Sequence, residues 1–325
     1  MGMIRVAIVG YGNLGRGVEL ALKQNPDMSL VGVFTRRAPD TVTTQGAQAY
    51  AMEDLVGKKA EIDVCILCGG SATDLPEQTP ALTKDFNTVD SFDTHAKIPE
   101  HFERVNQVGK ANQTLAVIST GWDPGLFSLN RLYAQSILPE GETYTFWGEG
   151  VSQGHSDALR RIPGVADATQ YTIPNEEVIE ALKAGQKMNV TTRDKHFRQC
   201  FVVLEENGDA AAVKEAIVTM PNYFAEYDTE VNFISQRELD KEHKAMPHGG
   251  KVLRTGTTGT DTQQVIEYNL ALASNPEFTA SVLVAYARAC VRLAQEGHTG
   301  AMTVLDIAPK YLSPIADDIL RRDLL

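Results

Sequence analysis

Ile4-Arg5-Val6-Ala7-Ile8-Val9-Gly10-Tyr11-Gly12-Asn13-Leu14-Gly15-Arg16 is the stretch whose reading decides the fold. An apolar run of strand length, residues 6–9, stops at Gly10-x-Gly12-x-x-Gly15, and Leu14, Val18, Ala21 and Leu22 then recur three to four apart. The order predicted is strand, glycine turn, helix, which is what a dinucleotide site requires. Gly10 permits the tight turn, Gly12 lets the backbone approach a pyrophosphate, and Gly15 lets the helix pack closely on the strand. Tyr11, Asn13 and Leu14 lie in the same turn and join the candidate cofactor contacts. The pyrophosphate would rest on free N–H groups at the positive end of the helix. GxGxxG alone is a weak signal; the buried strand before it and the amphipathic helix after it give it weight.

Working outward, residues 29–35 read as the next parallel strand, with Thr35-Arg36-Arg37 at its end. That strand end faces the adenosine ribose, where NAD sites place an acid and NADP sites an arginine for the 2′-phosphate. Two arginines and no acid favour NADP. The competing reading is two solvated charges. A third strand, residues 64–68, ends in Cys68-Gly69-Gly70-Ser71-Ala72, where glycines again let a ligand reach the backbone. Strand-like residues 87–90 and 115–119, separated by a helix near 99–110, complete a Rossmann-like doubly wound parallel sheet. The loops after these strands carry Asp93 and Trp122-Asp123, which should face the cofactor by the rule that open α/β sheets bind ligands at their carboxyl edge.

Beyond residue 125 the pattern changes. A helix at 126–138 leads to Tyr144-Thr145-Phe146-Trp147-Gly148 and a polar glycine-rich loop over 150–157. Strands are expected at 168–173, 197–205, 226–235 and 263–272, with helices at 176–184 and 210–220. Such runs suggest an α+β domain with an open, mostly antiparallel sheet. One uncovered sheet face invites a second copy, so a homodimer is expected. A long helix at 278–295 should return to the parallel sheet, followed by a short strand at 302–305. The expected domains are 1–121, joined by 276–325, for the dinucleotide, and 122–275 for substrate binding and dimerisation.

Composition sets outer limits. The 325 residues, 43% hydrophobic and 22% charged, suit a folded protein of about two domains. A net charge of -12 argues against nucleic acid, which needs clustered cations. No membrane span or secretory leader is read, so a soluble cytoplasmic enzyme is expected. Cys65-x-x-Cys68 has a metal-like spacing but lies in a buried strand without a second pair, and the seven histidines show no HExxH, so no metal is expected.

Hydride transfer to a nicotinamide needs a carbon held near C4 of the ring, a group that manages a proton, and anchors for the substrate's polar ends. Asp93 and Asp123 are the candidate catalytic residues, suited to an ammonium or its proton. Trp122, Phe146 and Trp147 could wall off water, and Ser152, Gln153 and Gly154 line the polar loop. Arg198, early in an apolar strand, is the expected carboxylate clamp. His248 in a tight 246–250 loop and Asn275 at a helix start are weaker candidates.

The 4–16 run, Ser119-Thr120-Gly121-Trp122-Asp123-Pro124-Gly125, residues 152–161 beginning Ser152-Gln153-Gly154-His155, and Met246-Pro247-His248-Gly249-Gly250 together closely resemble the meso-diaminopimelate D-dehydrogenases. The resemblance runs in register over essentially the whole chain; residues 41–60 and the stretch around Glu205 match poorly. It implies reversible NADP-dependent oxidative deamination of meso-2,6-diaminopimelate at its D-centre, giving L-2-amino-6-oxopimelate and ammonia in lysine and diaminopimelate biosynthesis. It also implies contacts to the D-centre from Asp93, Asp123, Trp147, Gln153 and Gly154, and to the distal L-centre from Thr172, Arg198, His248 and Asn275. The alternatives are a homoserine or aspartate-semialdehyde type dehydrogenase and a non-catalytic NADP-binding sensor.

Overall fold

A computed structural model describes residues 2–186 and 188–325. Its strands are β1 (Ile4–Val9), β2 (Met28–Thr35), β3 (Ala49–Ala51), β4 (Val64–Leu67), β5 (Thr88–Asp90), β6 (Leu115–Val117), β7 (Gly141–Trp147), β8 (Gly150–Val151), β9 (Val165–Pro174), β10 (His196–Leu204), β11 (Asp228–Phe233), β12 (His248–Thr258), β13 (Thr262–Leu272) and β14 (Gly300–Met302). Contacts divide the chain into two units, residues up to Leu129 with Pro276–Leu325, and Asn130–Asn275.

The first unit is the expected doubly wound sheet, in the order β14-β6-β5-β4-β1-β2-β3 with every pairing parallel. Its strands are apolar on both faces because both are covered. Val6, Ile8, Val64, Ile66 and Val89 pack on one side, with Val18 and Leu22 of the helix Asn13–Lys23 and Leu283, Tyr286 and Cys290 of the helix Asn275–Gln295. Ala7, Val9, Cys65 and Leu67 point to the other side, against Phe34, Leu75 and Phe92. The long C-terminal helix therefore does return to the parallel sheet. Buried Arg288 fixes it there, binding Asp27 at 2.6 and 2.8 Å and the Asn25 side-chain carbonyl at 2.6 Å. The short strand expected at 302–305 lies earlier, as β14; residues Val304–Asp306 form a 3₁₀ turn whose Thr303 caps it.

Cys65 is wholly buried, and all four cysteines are free thiols. Burial pushes the Cys65 and Cys68 thiols up. Neither is poised as a thiolate, the form an aspartate-semialdehyde type mechanism needs.

The second unit is mostly antiparallel, as expected, but distributes its strands over two sheets, β11-β10-β9-β8 and β13-β12-β7. One pair, β10 with β11, is parallel. Two local expectations are corrected. The 150–157 stretch is not a loop but β8 followed by the helix Gln153–Leu159. The 246–250 stretch is not a tight loop either, since His248 opens the 11-residue strand β12. Gly249, Gly250 and Gly256 remove the alternating apolar signal from that strand, and its stability comes instead from pairing on both sides, with β13 and β7. At Gly249 a Cβ would stand 2.2 Å from the Leu270 carbonyl oxygen, so only glycine allows the pairing.

Candidate active site

In the first unit, β1 ends at Gly10, whose φ of +91° turns the chain back close to Cys68. A Cβ on Gly15 would meet the Gly10 carbonyl oxygen at 2.3 Å, whereas a Cβ on Gly12 would meet nothing within 4 Å. The two glycines therefore differ in role: Gly15 is needed for packing, and Gly12 leaves open space beside a helix N-terminus that no side chain caps. That combination fits a dinucleotide pyrophosphate. Leu14 is half-buried on the core, and Asn13 starts the helix.

Tyr11 faces away from the cradle. Its buried hydroxyl donates to Glu19, and burial, with the Glu19 contact second, pushes it up to about 12. Only its backbone is available to a ligand, and its carbonyl oxygen accepts from Arg37 at 2.6 Å. Thr35 accepts from the Arg37 N–H at 3.1 Å. Arg36 is 73% exposed and pairs with Asp74 at 2.8 Å, while Asp74 also accepts from the Gly70 N–H at 2.8 Å. The end of β2 thus meets the Cys68-Gly69-Gly70-Ser71-Ala72 turn after β4. Ser71 in turn accepts from the Asp93 N–H at 2.8 Å, joining that turn to the loop after β5. Asp93 is exposed and Asp123 half-buried. Buried Trp122, beside Asp123, packs edge-on against Phe127 with ring centroids 5.2 Å apart.

In the second unit the register of β9 and β10 sets Thr172 directly opposite Arg198. Arg198 donates to the Thr172 hydroxyl, lies over the Tyr227 ring at 4.0 Å, and is only 6% exposed. Among the described residues it pairs with no carboxylate, and its buried Nε has no partner. Burial holds the guanidinium below its usual range. Three imidazoles feel its charge. Burial first, and Arg198 second, push His155 down to about 4 and His196 down to about 3. His248 is also lowered by burial, with Arg198 adding to it. A buried cation ringed by neutral histidines is costly unless an anion completes it.

Glycines bring the remaining candidates to this cation. Gly148, at φ +110°, would place a Cβ 2.1 Å from the Thr172 carbonyl oxygen, and Gly150 would place one 2.3 Å from the His248 Cα. The chain thus passes between them, with Gly150 opposite Thr172. Ser152 donates its N–H to the Gln170 carbonyl and bonds the His155 ring at 2.7 Å. Gln153 reaches the Met246 sulfur at 3.0 Å, and Asn275 donates its N–H to the Met246 carbonyl at 2.9 Å. Gly154, exposed, sits in the first turn of the helix. Ser152, Gln153, Thr172, Arg198, His248 and Asn275 are therefore linked through this one region of the unit.

Phe146 is a correction. Strand alternation turns it away from Trp147 into a core with Val178, Ile179, Leu182 and Leu253, so it packs rather than walls a site. Trp147 stays partly exposed, stacked on the His196 ring at 5.4 Å, while its backbone N–H donates to His196 Nε2 at 2.8 Å. His196 and Tyr227 were not among the candidates read from the sequence. His196 had a legible signal, since it stands two residues before Arg198 on the same strand face. Tyr227 reaches Arg198 from a segment distant in sequence, which no local pattern reveals.

A family model for the diaminopimelic acid dehydrogenase C-terminal domain matches residues 121–274. A meso-diaminopimelate D-dehydrogenase of Ureibacillus thermosphaericus is 58% identical, with 100% of both chains covered. The solved Corynebacterium glutamicum DAP dehydrogenase in complex with DAP is 48% identical, with a TM-score of 0.94 and 100% of both chains covered. An engineered D-amino acid dehydrogenase bound to NADP+ is 47% identical, with a TM-score of 0.88, covering 99% of this chain and 100% of its own. Likeness of this degree along the whole length, on the fold described above, means that the chain belongs to the meso-diaminopimelate D-dehydrogenase family.

Proposed function

We infer that this protein catalyses reversible oxidative deamination of meso-2,6-diaminopimelate at its D-centre, with NADP, to L-2-amino-6-oxopimelate and ammonia. The observation that carries the reading is Arg198: a buried guanidinium with no acid partner among the described residues, beside the Thr172 hydroxyl and neutral imidazoles, is what a substrate carboxylate would complete. The pairing of Arg36 and Arg37 at the end of β2 supports NADP over NAD.

When bound, NADP accepts a hydride at C4 of its nicotinamide. The chain's residues arrange the rest. Thr172, Arg198, His248 and Asn275 hold the distal L-amino acid end, and Asp93, Asp123, Trp147, Gln153 and Gly154 hold the D-centre. Gripping the distal end fixes which hydrogen of the other end can be transferred, so stereochemistry follows from anchoring. The amine must be neutral for hydride to leave; Asp93 or Asp123 accepts its proton. Water then attacks the iminium carbon and ammonia departs. Trp122 and Trp147 limit other water at that carbon.

Residues up to 121 with 276–325 serve the dinucleotide, and 122–275 the substrate and a second copy of the chain. The open sheets of the second unit support a homodimer, which light scattering tests directly: a monomer of 35.5 kDa at micromolar concentration would refute it. No helix among the described residues is long and apolar enough to cross a membrane. We propose a cytoplasmic protein working on a small molecule; the acidic net charge of -12 disfavours nucleic acid as a partner. The function is tested by product analysis. One ammonia should appear per NADPH, and chiral analysis of the amino-oxopimelate product should find only the L-configured centre. NADPH formed without ammonia would overturn deamination.

A further inference from the structure

Neither Asp90 nor His101 touches the candidate site, yet both are buried beneath it, with Asp90 0% exposed. Asp90 is the last residue of β5. Its Oδ1 accepts from the Phe92 N–H at 3.0 Å and the Ser119 N–H at 2.8 Å. Its Oδ2 accepts from the Thr79 hydroxyl at 2.8 Å and meets His101 Nε2 at 2.9 Å. The Asp90 carbonyl oxygen accepts from the Thr120 N–H at 2.9 Å. One residue therefore ties down two loops, the one leading to Asp93 and the one leading to Asp123.

Two further features show that the loops are shaped by this carboxylate. Ser119 has φ +54°, a left-handed backbone that an ordinary residue holds only where its surroundings compel it. Its N–H is bound by Asp90, while its own hydroxyl is buried without a partner among the described residues, so the side chain does not stabilise the turn. His101 also stacks on Phe92 with centroids 4.2 Å apart, so it holds the first loop by its ring face as well as by its Asp90 bond. Buried charge of this kind is weak evidence for stability, because apolar residues of the same volume usually serve as well. Holding two loops in fixed spacing is what apolar packing does poorly.

We propose that Asp90, braced by His101 and Thr79, is a positioning residue that sets the separation of Asp93 and Asp123 around the reacting amine. The proposal rests on the catalytic assignment of those two aspartates. Displacing such groups by about 1 Å costs roughly 100-fold in rate. Asp90→Ala should lower kcat about 100-fold while the KM for meso-diaminopimelate and the Kd for NADPH change less than about fivefold, because Arg198 and the glycine turn are untouched. Asp90→Asn should restore kcat to within about fivefold. Its carbonyl oxygen still accepts from both backbone N–H groups, and its amide donates to Thr79 and to the other tautomer of His101. An Asp90→Ala protein that is less thermostable but keeps its kcat, or an Asp90→Asn protein as impaired as Asp90→Ala, would overturn the proposal. If Asp90→Ala does not fold, His101→Phe decides. It keeps the ring stack but removes the N–H donor, and should lower kcat about tenfold; unchanged kcat overturns the brace. Asp93→Asn and Asp123→Asn run alongside. If neither lowers kcat, the catalytic assignment falls and the brace with it; if they do and Asp90→Ala does not, the brace alone falls.

Discussion

Replacing Arg198 by methionine separates a binding role from a structural one. Methionine fills much of the same space and keeps a favourable sulfur contact with the Tyr227 ring that the guanidinium covers at 4.0 Å. Two quantities move in opposite senses. Truncating one member of a desolvated charge pair costs about 2–5 kcal/mol of binding. At about 1.4 kcal/mol per decade, kcat/KM for meso-diaminopimelate should fall roughly 30-fold to a few thousandfold. Stability should not fall with it. The guanidinium is buried without an acid partner among the described residues, and exchanging a buried charge for an apolar side chain is neutral or stabilising by about 1–4 kcal/mol. The Thr172 hydroxyl loses one donor but keeps the Gln170 amide at 3.4 Å, so that loss stays near 1 kcal/mol. Steady-state kinetics, NADPH binding by fluorescence and a thermal melt of the ligand-free protein supply the three readouts. A variant with an unchanged or higher Tm, unchanged NADPH affinity and collapsed kcat/KM meets the expectation. A Tm lowered by many degrees, or equal losses for substrate and cofactor, would show that Arg198 supports the fold rather than the substrate.

Three other perturbations test separate parts of the account. Gly12→Ala should leave the ligand-free Tm nearly unchanged and weaken NADP at least about tenfold, because its Cβ meets only open space; Gly15→Ala, whose Cβ meets the Gly10 carbonyl oxygen at 2.3 Å, should lower both. Arg36→Ala should weaken NADP by about 1.5–3 kcal/mol, the value of a charge-assisted bond, and spare NAD; unchanged NADP affinity would return Arg36 to a surface partner of Asp74. Half-buried His155 is pushed down to about 4 in the fold, against 6.5 unfolded, so the unfolded chain takes up the proton first. Its contribution to stability is whole above pH 6.5 and is lost as pH falls towards 4, at up to about 1.4 kcal/mol per pH unit. His155→Phe should flatten that part of a pH-dependent denaturation curve, and an unchanged slope would count against the burial argument.

What could be read from the sequence was what is local. The strand, glycine turn and helix of residues 4–23 announce themselves because each glycine's role depends on neighbours a few residues away. Arg36 and Arg37 were legible for the same reason, being placed by the strand they follow. Phe146 is not separable from Trp147 in the sequence, because a run of aromatics reads as one wall, whereas a strand sends neighbouring side chains to opposite faces, one into the Val178 and Leu182 core. β12 escaped notice because its glycines erase alternation, and its pairing is decided by β7 and β13. Tyr227 under Arg198, and Asp90 under the two aspartate loops, belong to contacts made across long sequence separations. Their residue types carry no pattern, and only the fold brings them into place.

The central claim is that a buried clamp at one end of the substrate dictates chemistry at the other. NADPH formation measured with meso-, L,L- and D,D-diaminopimelate, each with NADP and with NAD, tests it most directly. The account predicts turnover of the meso isomer with NADP, and at most trace turnover of the L,L isomer, which offers no D-centre, or of the D,D isomer, whose distal end does not match the clamp. Comparable rates on all isomers, or none on any while NADPH still binds, would contradict it.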